Sequence, residues 1–185
     1  GVVFLGSDVG GVYKSLDGGI SWQVSNQGLE NYYVQAIASD PQNPSIVYLG
    51  TRGGFYKSEN GGASWSLKRQ GFPPIEKHSF SAPISAIEVD PTNNAVLFAG
   101  TGCPRIDTDG KGAVYKSGDY GESWTLLAGS LPADAVVTAI KIVPQQPQRI
   151  YLGTNRGFFV SNDGGTNWVQ KINGLPNGNV RAVAV

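Results

Sequence analysis

The chain repeats one combination of side chains that can carry charge and accept hydrogen bonds. "SLDGGISW" begins at residue 15, and "SENGGASW", "SGDYGESW" and "SNDGGTNW" begin at residues 58, 117 and 161. A carboxylate held beside a hydroxyl suits acid–base catalysis, so Asp17, Asp119 and Asp163 are the first candidates for chemistry. We call each of these four stretches a box. The second box has Asn60 at this position, which cannot exchange a proton. Four copies of one short pattern favour a structural role over four catalytic sites.

The composition of each box is that of a tight turn between two antiparallel strands. Asp and Asn hydrogen-bond the backbone two residues on, glycine takes positive φ, and a serine hydroxyl holds the turn. The tryptophan that follows can bury a large ring while its indole N–H finds a carbonyl. We therefore predict that each box is a hairpin staple. The residues given this role are Ser15, Asp17, Gly19, Trp22, Ser58, Asn60, Gly62, Trp65, Ser117, Asp119, Gly121, Trp124, Ser161, Asp163, Gly165 and Trp168.

The boxes lie in a longer repeat that supplies the elements around them. Their tryptophans are 43, 59 and 44 residues apart, a period typical of propeller blades. Each period reads as four short strands: A ("VQAIASDP"), B ("IVYLG"), C ("FYKS") and D, which starts at the tryptophan. Strand A has a small residue at one position, where an innermost strand would be crowded: Ala36, Ala86, Ala139 and Ala182. The pattern predicts an all-β propeller of four-stranded antiparallel blades, with repeats at 1–33, 34–83, 84–136 and 137–179 and an innermost strand at 180–185.

These residues resemble the Asp-box pattern S-x-D-x-G-x-x-W, also called the bacterial neuraminidase repeat. Three boxes match it fully, and the resemblance extends over the whole chain. Asp-box propellers include sialidases, xyloglucan-cleaving glycoside hydrolases, sortilin-type receptors and photosystem assembly factors, so the resemblance implies a fold and no single function. Such rings usually have more than four blades. We therefore expect this chain to be part of a larger propeller, and a closed four-bladed ring is the alternative.

One face of the predicted propeller collects the D-to-A and B-to-C loops, opposite the boxes. The third repeat carries its extra residues there, as expected of a binding face. Tyrosines could stack on sugar rings, and arginines on the B-to-C loops suit a ligand rich in acceptors. The predicted ligand-binding residues are Tyr32, Tyr33, Arg52, Arg105, Asp107, Asp109, Lys111, Asn155 and Arg156.

No metal or cofactor is predicted. Asp107 and Asp109 lack the further carboxylates that a Ca²⁺ loop supplies, and a single histidine, His78, cannot form a multi-histidine zinc site. Cys103 is the only cysteine, so it has no partner for an internal disulfide.

A sharper resemblance concerns "GSDVGGVYKS" at residues 6–15. It is similar to the aspartate-bearing turn of the xyloglucan-specific glycoside hydrolase family, which is built from two seven-bladed propellers. The resemblance implies that Asp8 is one catalytic carboxylate. That family takes its second carboxylate from the other propeller, and none can be assigned here. The alternative is that Asp8 is a turn residue whose side chain caps the backbone of "VGG".

The bulk composition narrows the function further. Apolar residues make up 40% and charged residues 15% of the chain, and the formal net charge is +0, so neither nucleic acid nor an anionic membrane is an expected partner. The arginine-isoleucine-proline motif of sialidases is missing. The leading hypothesis is a non-catalytic extracellular or periplasmic scaffold that binds a glycan or protein on the loop face. The rival is an endo-acting, xyloglucanase-like hydrolase that uses Asp8. Further blades or a second copy are expected to cover the termini.

Overall fold

A computed structural model of the chain describes residues 1–74, 82–102, 112–127, 129, 131–132, 134–175 and 178–185. Every regular element in these ranges is a β-strand. No helix long and apolar enough to cross a membrane occurs in the described residues. The fold is therefore all-β, as the repeat predicted.

Fifteen strands form four antiparallel sheets, which we call blades 1 to 4. Blade 1 has three strands, and blades 2, 3 and 4 have four each, always in meander order. The strands are β1 Val3–Ser7, β2 Gly11–Ser15 and β3 Gln23–Val24; β4 Val34–Ser39, β5 Val47–Thr51, β6 Gly54–Ser58 and β7 Ser66–Lys68; β8 Ile84–Val89, β9 Leu97–Thr101, β10 Val114–Ser117 and β11 Thr125–Leu127; and β12 Val137–Val143, β13 Gln146–Thr154, β14 Gly157–Ser161 and β15 Val169–Gln170.

The innermost strand of each four-stranded blade is the one that carries the recurring alanine. Ala36 pairs with Gly50, and Ala86 pairs with Gly100, so a methyl group faces a hydrogen atom across the ladder. These glycines lie against the next blade. A Cβ added at Gly50 would stand 2.5 Å from the carbonyl oxygen of Ile84, which no real contact allows. Small residues at these positions let the inner strands of successive blades approach closely.

The hydrophobic cores lie between blades rather than within them. Three buried clusters join blade 1 to 2, blade 2 to 3 and blade 3 to 4, and each contains the box tryptophan of the later blade. The cluster between blades 2 and 3 is aromatic, with Trp124 4.8 Å from Phe55 and 5.1 Å from Phe72, measured between ring centroids. Stacking of this kind makes each blade depend on its neighbours.

A backbone contact fixes Trp65 and Trp124 in their clusters. The N–H of Trp65 donates to the carbonyl of Gln27 (2.9 Å), and its indole N–H donates to the carbonyl of Ser25 (2.7 Å). The N–H of Trp124 donates in the same way to Gln70 (3.0 Å). We call this contact between a D-to-A loop and the next box tryptophan the tryptophan lock.

Charged residues add to the interface between blades 2 and 3. The ammonium of Lys57, whose side chain is only 4% exposed, lies 2.8 Å from one carboxylate oxygen of Glu122, and Lys68 lies 2.7 Å from the other. Burial alone would lower the pKa of Lys57, but the hydrogen bonds that its ammonium donates to Glu122 and Glu59 give a net increase in that pKa. The lysine therefore remains charged in the fold, and the box of blade 3 supplies most of its compensation.

The segment 180–185 lies beside blade 4, where a next innermost strand would begin. The N–H of Val180 donates to the carbonyl of Thr154 (2.9 Å), and the carbonyl of Val180 accepts from the hydroxyl of Thr138. In the same way, the carbonyl of Val137 in blade 4 accepts a hydrogen bond from the hydroxyl of Ser85. Within the described residues no ladder joins this segment to β1, so the four blades form an open arc.

Candidate functional site

The turn between β1 and β2 is held by its serine, so the carboxylate of its aspartate makes no hydrogen bond within the turn. The Ser7 hydroxyl accepts from the N–H of Gly10 (3.2 Å) and weakly from that of Val9 (3.5 Å). The capping role that the sequence allowed for Asp8 thus belongs to Ser7, and that alternative interpretation of Asp8 was wrong. The Asp8 side chain is 62% exposed.

Arg52 joins this turn to the next blade. Its Nη2 lies 2.6 Å from Oδ1 of Asp8, and its guanidinium carbon lies 4.5 Å from the ring centroid of Tyr33. Its backbone N–H donates to the carbonyl of Tyr33 (3.0 Å), so main chain and side chain are both fixed. The Arg52 side chain is only 18% exposed, and the exposed Asp8 is therefore held by a largely buried cation.

The tyrosines complete a surface that we call the Arg52 patch: Asp8, Tyr32, Tyr33 and Arg52. Tyr32 is 47% and Tyr33 39% exposed. The carbonyl of Tyr32 accepts from the N–H of Gly11 (3.1 Å), which ties this loop to blade 1. Nε of Arg52 is buried and has no hydrogen-bond partner among the described residues. The patch thus combines aromatic surface, a planar cation with unused donor capacity and an exposed carboxylate.

A second cluster occupies the loop face between blades 3 and 4. Asn155 Oδ1 accepts from the N–H of Val136 (2.7 Å), and Asn155 Nδ2 donates to the carbonyl of Asp134 (3.2 Å). Arg156 forms an ion pair with Asp134, and both side chains are more than half exposed. The Asn155 side chain therefore joins its turn to the preceding D-to-A loop, and Arg156 belongs to an exposed pair of the kind that contributes little energy.

The arginines of the B-to-C loops do not share one structural position. The backbone N–H of Arg52 donates to the D-to-A loop before it, at Tyr33, and the residue that makes this bond in blade 4 is Asn155, which donates to Val136 (3.1 Å). Arg156 comes one residue later in the turn. The predicted binding residues therefore separate into two groups, of which only the first surrounds Asp8.

The remaining predicted binding residues lie outside the described part of the chain. These are Arg105, Asp107, Asp109 and Lys111. His78 and Cys103, to which no binding role was assigned, also lie outside the described residues. In the described residues no group of three or more His, Cys, Asp or Glu side chains is placed to hold a metal ion.

A cavity of about 200 Å³ lies at blade 4, away from the Arg52 patch. Arg156, Phe158, Lys171, Leu175 and Val180 contribute to its walls. The patch beside Asp8 is instead an open surface, better suited to an extended ligand than to an enclosed small molecule.

Sequence reasoning missed the residues that shape the loop face. Ser7, Thr51 and Thr154 each end strand B, and each hydroxyl accepts a backbone N–H of the following turn; for Thr51 and Thr154 these come from Gly53 and Arg156, both at 3.0 Å. The signal was present in the recurring "GS" or "GT" at the end of strand B.

The boxes form the turns at the opposite face. In the first, the Ser15 hydroxyl donates to Asp17 (2.7 Å) and accepts the N–H of Gly19 (2.8 Å), while Asp17 also accepts the N–H and hydroxyl of Ser21. The other three repeat the serine-to-Asp/Asn and glycine-to-serine bonds. The carboxylates are occupied by their own turns, an arrangement suited to a staple and not to proton transfer with a substrate.

These hydrogen bonds lower the pKa values of the box aspartates. The side chain and backbone N–H of Ser21, followed by the Ser15 hydroxyl, hold the pKa of Asp17 far below its ordinary value. The backbone and side-chain amides of Asn167, followed by the hydroxyl of Ser161, lower the pKa of Asp163 from 3.8 to about 2. The folded chain therefore favours the ionised form of these residues.

Replacing Asp163 by asparagine is expected to reduce the acid sensitivity of the fold. Because its pKa is lowered from 3.8 to about 2 on folding, ionised Asp163 stabilises the fold above about pH 4, and this stabilisation is lost as the pH falls through about 2. Asn60 shows that an amide fits this turn. Urea unfolding at about pH 7 and about pH 2.5 measures how much unfolding free energy is lost on acidification. This loss should be smaller in Asp163→Asn than in the unchanged chain. Equal losses would contradict the assignment.

Comparison with solved structures shows that the fold is that of β-propellers. An ancestral GH74 enzyme matches 92% of this chain with a TM-score of 0.76 and 30% identity. The extracellular domain of BT4673 from B. thetaiotaomicron matches 97% with a TM-score of 0.70 and 14% identity, and YCF48 bound to D1 peptide matches 94% with 0.59 and 19%. This chain spans 22%, 23% and 50% of those chains, respectively. No protein-family profile and no curated protein sequence matches it.

Proposed function

We propose that the chain is an extracellular recognition scaffold without catalytic activity, which binds a neutral polysaccharide chain across the loop face at the Arg52 patch. The observation that carries the proposal is the Asp8–Arg52–Tyr33 arrangement, in which an ion pair 2.6 Å long lies beside a half-exposed tyrosine ring. A sugar ring offers an apolar face to an aromatic side chain and hydroxyl groups to charged hydrogen-bonding partners.

The geometry supports an extended ligand. Tyr32 and Tyr33 lie on the D-to-A loop that follows blade 1, whereas Arg52 lies on the B-to-C turn of blade 2, so the patch crosses the boundary between two blades. An open surface of this kind contacts several consecutive units of a polymer. The chain is similar to a GH74 enzyme at 30% identity, and the turn around Asp8 resembles that of xyloglucan-specific glycoside hydrolases. Both similarities favour a β-glucan such as xyloglucan as the ligand.

Binding is expected to depend on the patch and not on loop arginines in general. Tyr33→Ala and Arg52→Met should each weaken xyloglucan binding about tenfold, since each removes an anchor of the surface. Arg156→Met is the matched control, because Arg156 lies on the same face in an exposed pair with Asp134. Isothermal titration calorimetry with xyloglucan oligosaccharides measures the three affinities. A chain that binds no glucan, or an equal loss in Arg156→Met, would contradict the proposal.

A protein ligand is the alternative to a polysaccharide. YCF48, which is similar in fold, is bound to D1 peptide. Retention of a peptide without any binding of glucan would replace the polysaccharide by a protein partner.

The second candidate function is glycoside hydrolysis with Asp8 as acid or base. It is favoured by the finding that the Asp8 carboxylate is exposed and not used by its own turn. Hydrolysis needs two carboxyl groups about 5 to 9.5 Å apart. The partner observed for Asp8 is the guanidinium of Arg52, and a guanidinium supplies no second carboxyl group. Release of reducing ends from xyloglucan that disappears in Asp8→Asn would establish this function instead.

A further inference from the structure

We infer that Asn60 is a deamidation site whose reaction is controlled by the fold, and that its aspartyl product gives the second box the pattern of the other three. Among the four boxes only the second has an amide at this position, and Gly61 follows it directly. Such a pair is chemically labile because glycine, which has no side chain, hinders ring closure least. The inference concerns the box face and is independent of the proposed glycan binding.

The reaction joins the side chain of Asn60 to the main chain of Gly61. The Gly61 nitrogen loses its proton and attacks Cγ of Asn60, a new N–C bond forms, and the side-chain amide nitrogen leaves as ammonia. Water then opens the resulting succinimide ring. Attack of water at Cγ breaks the new bond and leaves aspartate in a normal chain. Attack at the main-chain carbonyl carbon instead leaves an isoaspartyl link, which passes through the side chain.

The folded box holds both reacting groups in other bonds. Oδ1 of Asn60 accepts from the hydroxyl of Ser58 (2.9 Å) and the N–H of Ser64 (2.9 Å), and Nδ2 donates to the hydroxyl of Ser64 (2.8 Å). The N–H of Gly61 donates to the carbonyl of Ser45 at 2.7 Å. Because attack requires all of these bonds to be given up, deamidation takes place from an opened turn. Its rate therefore follows the population of that open state.

An aspartate produced at position 60 enters a turn that already suits it. In the first box the same place is held by Asp17, whose oxygens accept from the hydroxyl of Ser15 and from the N–H and hydroxyl of Ser21. The second box has these donors at the same places. Only the hydroxyl of Ser64 changes its role, from accepting to donating, and a hydroxyl does this by rotation. The carboxylate then gains charge-assisted hydrogen bonds.

An isoaspartyl link does not fit the same turn, because it adds a methylene group to the main chain. The N–H of Gly62, two residues on, donates to the hydroxyl of Ser58 at 2.8 Å. A Cβ added at Gly62 would stand 2.5 Å from the ring of Phe4, so this backbone lies directly against blade 1. Displacing it breaks the contact between the second box and blade 1. The two products therefore differ in whether the box can form again.

Mass spectrometry of the tryptic peptide 58–68 tests the control by the fold, because this peptide contains Asn60 and no other asparagine. The chain is incubated in mildly alkaline buffer, folded and in concentrated urea, beside a synthetic peptide of the same sequence. Deamidation in urea should match that of the peptide, and in the folded chain it should be at least about tenfold slower. A folded chain that deamidates as fast as the peptide would overturn the inference.

Two serine variants separate the hydrogen bonds of the box from effects of the sequence alone. Ser64→Ala removes the hydroxyl that accepts from Nδ2 of Asn60, so it should raise the rate in the folded chain about two- to tenfold and leave the rate in urea unchanged. Ser66→Ala is the matched control, since Ser66 lies in the same peptide and is exposed on β7. Equal rates in the two folded variants would show that these bonds do not control the reaction.

Refolding distinguishes the two products. After partial deamidation in urea, the chain is returned to buffer, and limited proteolysis removes whatever has not refolded. Chains with aspartate at position 60 should be recovered like unreacted ones, and Asn60→Asp serves as their standard. Isoaspartyl chains should be depleted at least about tenfold from the folded fraction. Equal recovery of both products, or failure of Asn60→Asp to fold, would contradict the assigned fit of the aspartyl product.

Discussion

A Gly71→Ala variant is expected to lose about 2 to 5 kcal/mol of unfolding free energy. Gly71 has φ +91, a conformation that costs an alanine energy by itself. The added Cβ would lie 1.8 Å from the carbonyl oxygen and 2.7 Å from the carbonyl carbon of Trp124. Because these are backbone atoms, relief requires blades 2 and 3 to separate, which breaks the bond from Trp124 to Gln70.

Gly174→Ala provides the matched control for this variant. Gly174 has a similar positive φ but no described atom within 4 Å of the added Cβ, so only the conformational cost of about 1 to 2 kcal/mol remains. Guanidinium unfolding of both variants, at a concentration where the chain is monomeric, isolates the contribution of the lock. Similar losses in the two variants would mean that backbone strain alone explains Gly71.

Trp65→Ala is expected to cost about 3 to 5 kcal/mol, since it empties a buried ring site in the core between blades 1 and 2. Trp65 is 4% exposed, packs in the same cluster as Leu29, and donates its indole N–H to Ser25 at 2.7 Å. Its removal leaves that carbonyl without this donor and uncovers Leu29. The cavity left by the smaller side chain and the lost hydrogen bond both lower the unfolding free energy.

Trp22→Ala is the matched control, because Trp22 holds the same place in its box but is 39% exposed. In the monomeric chain, the Trp22→Ala substitution is expected to lower the unfolding free energy by about 1 kcal/mol or less, as for other changes at the surface. Thermal unfolding followed by circular dichroism compares the pair. If Trp22→Ala were as damaging as Trp65→Ala, the tryptophan would act within its own turn and not as a lock between blades.

Most of the fold follows from local patterns that repeat. Turn chemistry is local, so the four boxes could be placed from residue types such as Ser15, Asp17 and Gly19 alone. The alanine of the innermost strand was also informative, since crowding at the centre leaves room for little else. The three-stranded form of blade 1 did not follow, because nothing in "VVFLGS" indicates whether another strand pairs with it.

The candidate site was less predictable because it depends on contacts between blades. Asp8 and Arg52 are 44 residues apart, and only the stacking of blades 1 and 2 brings them together. The distinction between Arg52 and Arg156 depends on a shift of one residue within turns of equal length, since Arg52 directly follows Thr51 whereas Asn155 separates Arg156 from Thr154. The role of Ser7 could have been inferred from its counterparts at Thr51 and Thr154.

The tryptophan lock has a direction, and this affects how the chain is completed during its synthesis. The D-to-A loops that follow blades 1 and 2 are covered by a residue later in sequence, Gln27 by Trp65 and Gln70 by Trp124. A blade emerging from a ribosome therefore remains uncovered until the box of the next repeat has been made. Folding therefore lags translation by one repeat. At each stage the uncovered apolar surface is that of the blade nearest the growing end of the chain. The newest blade is always the one that a chaperone or a wrong partner can reach.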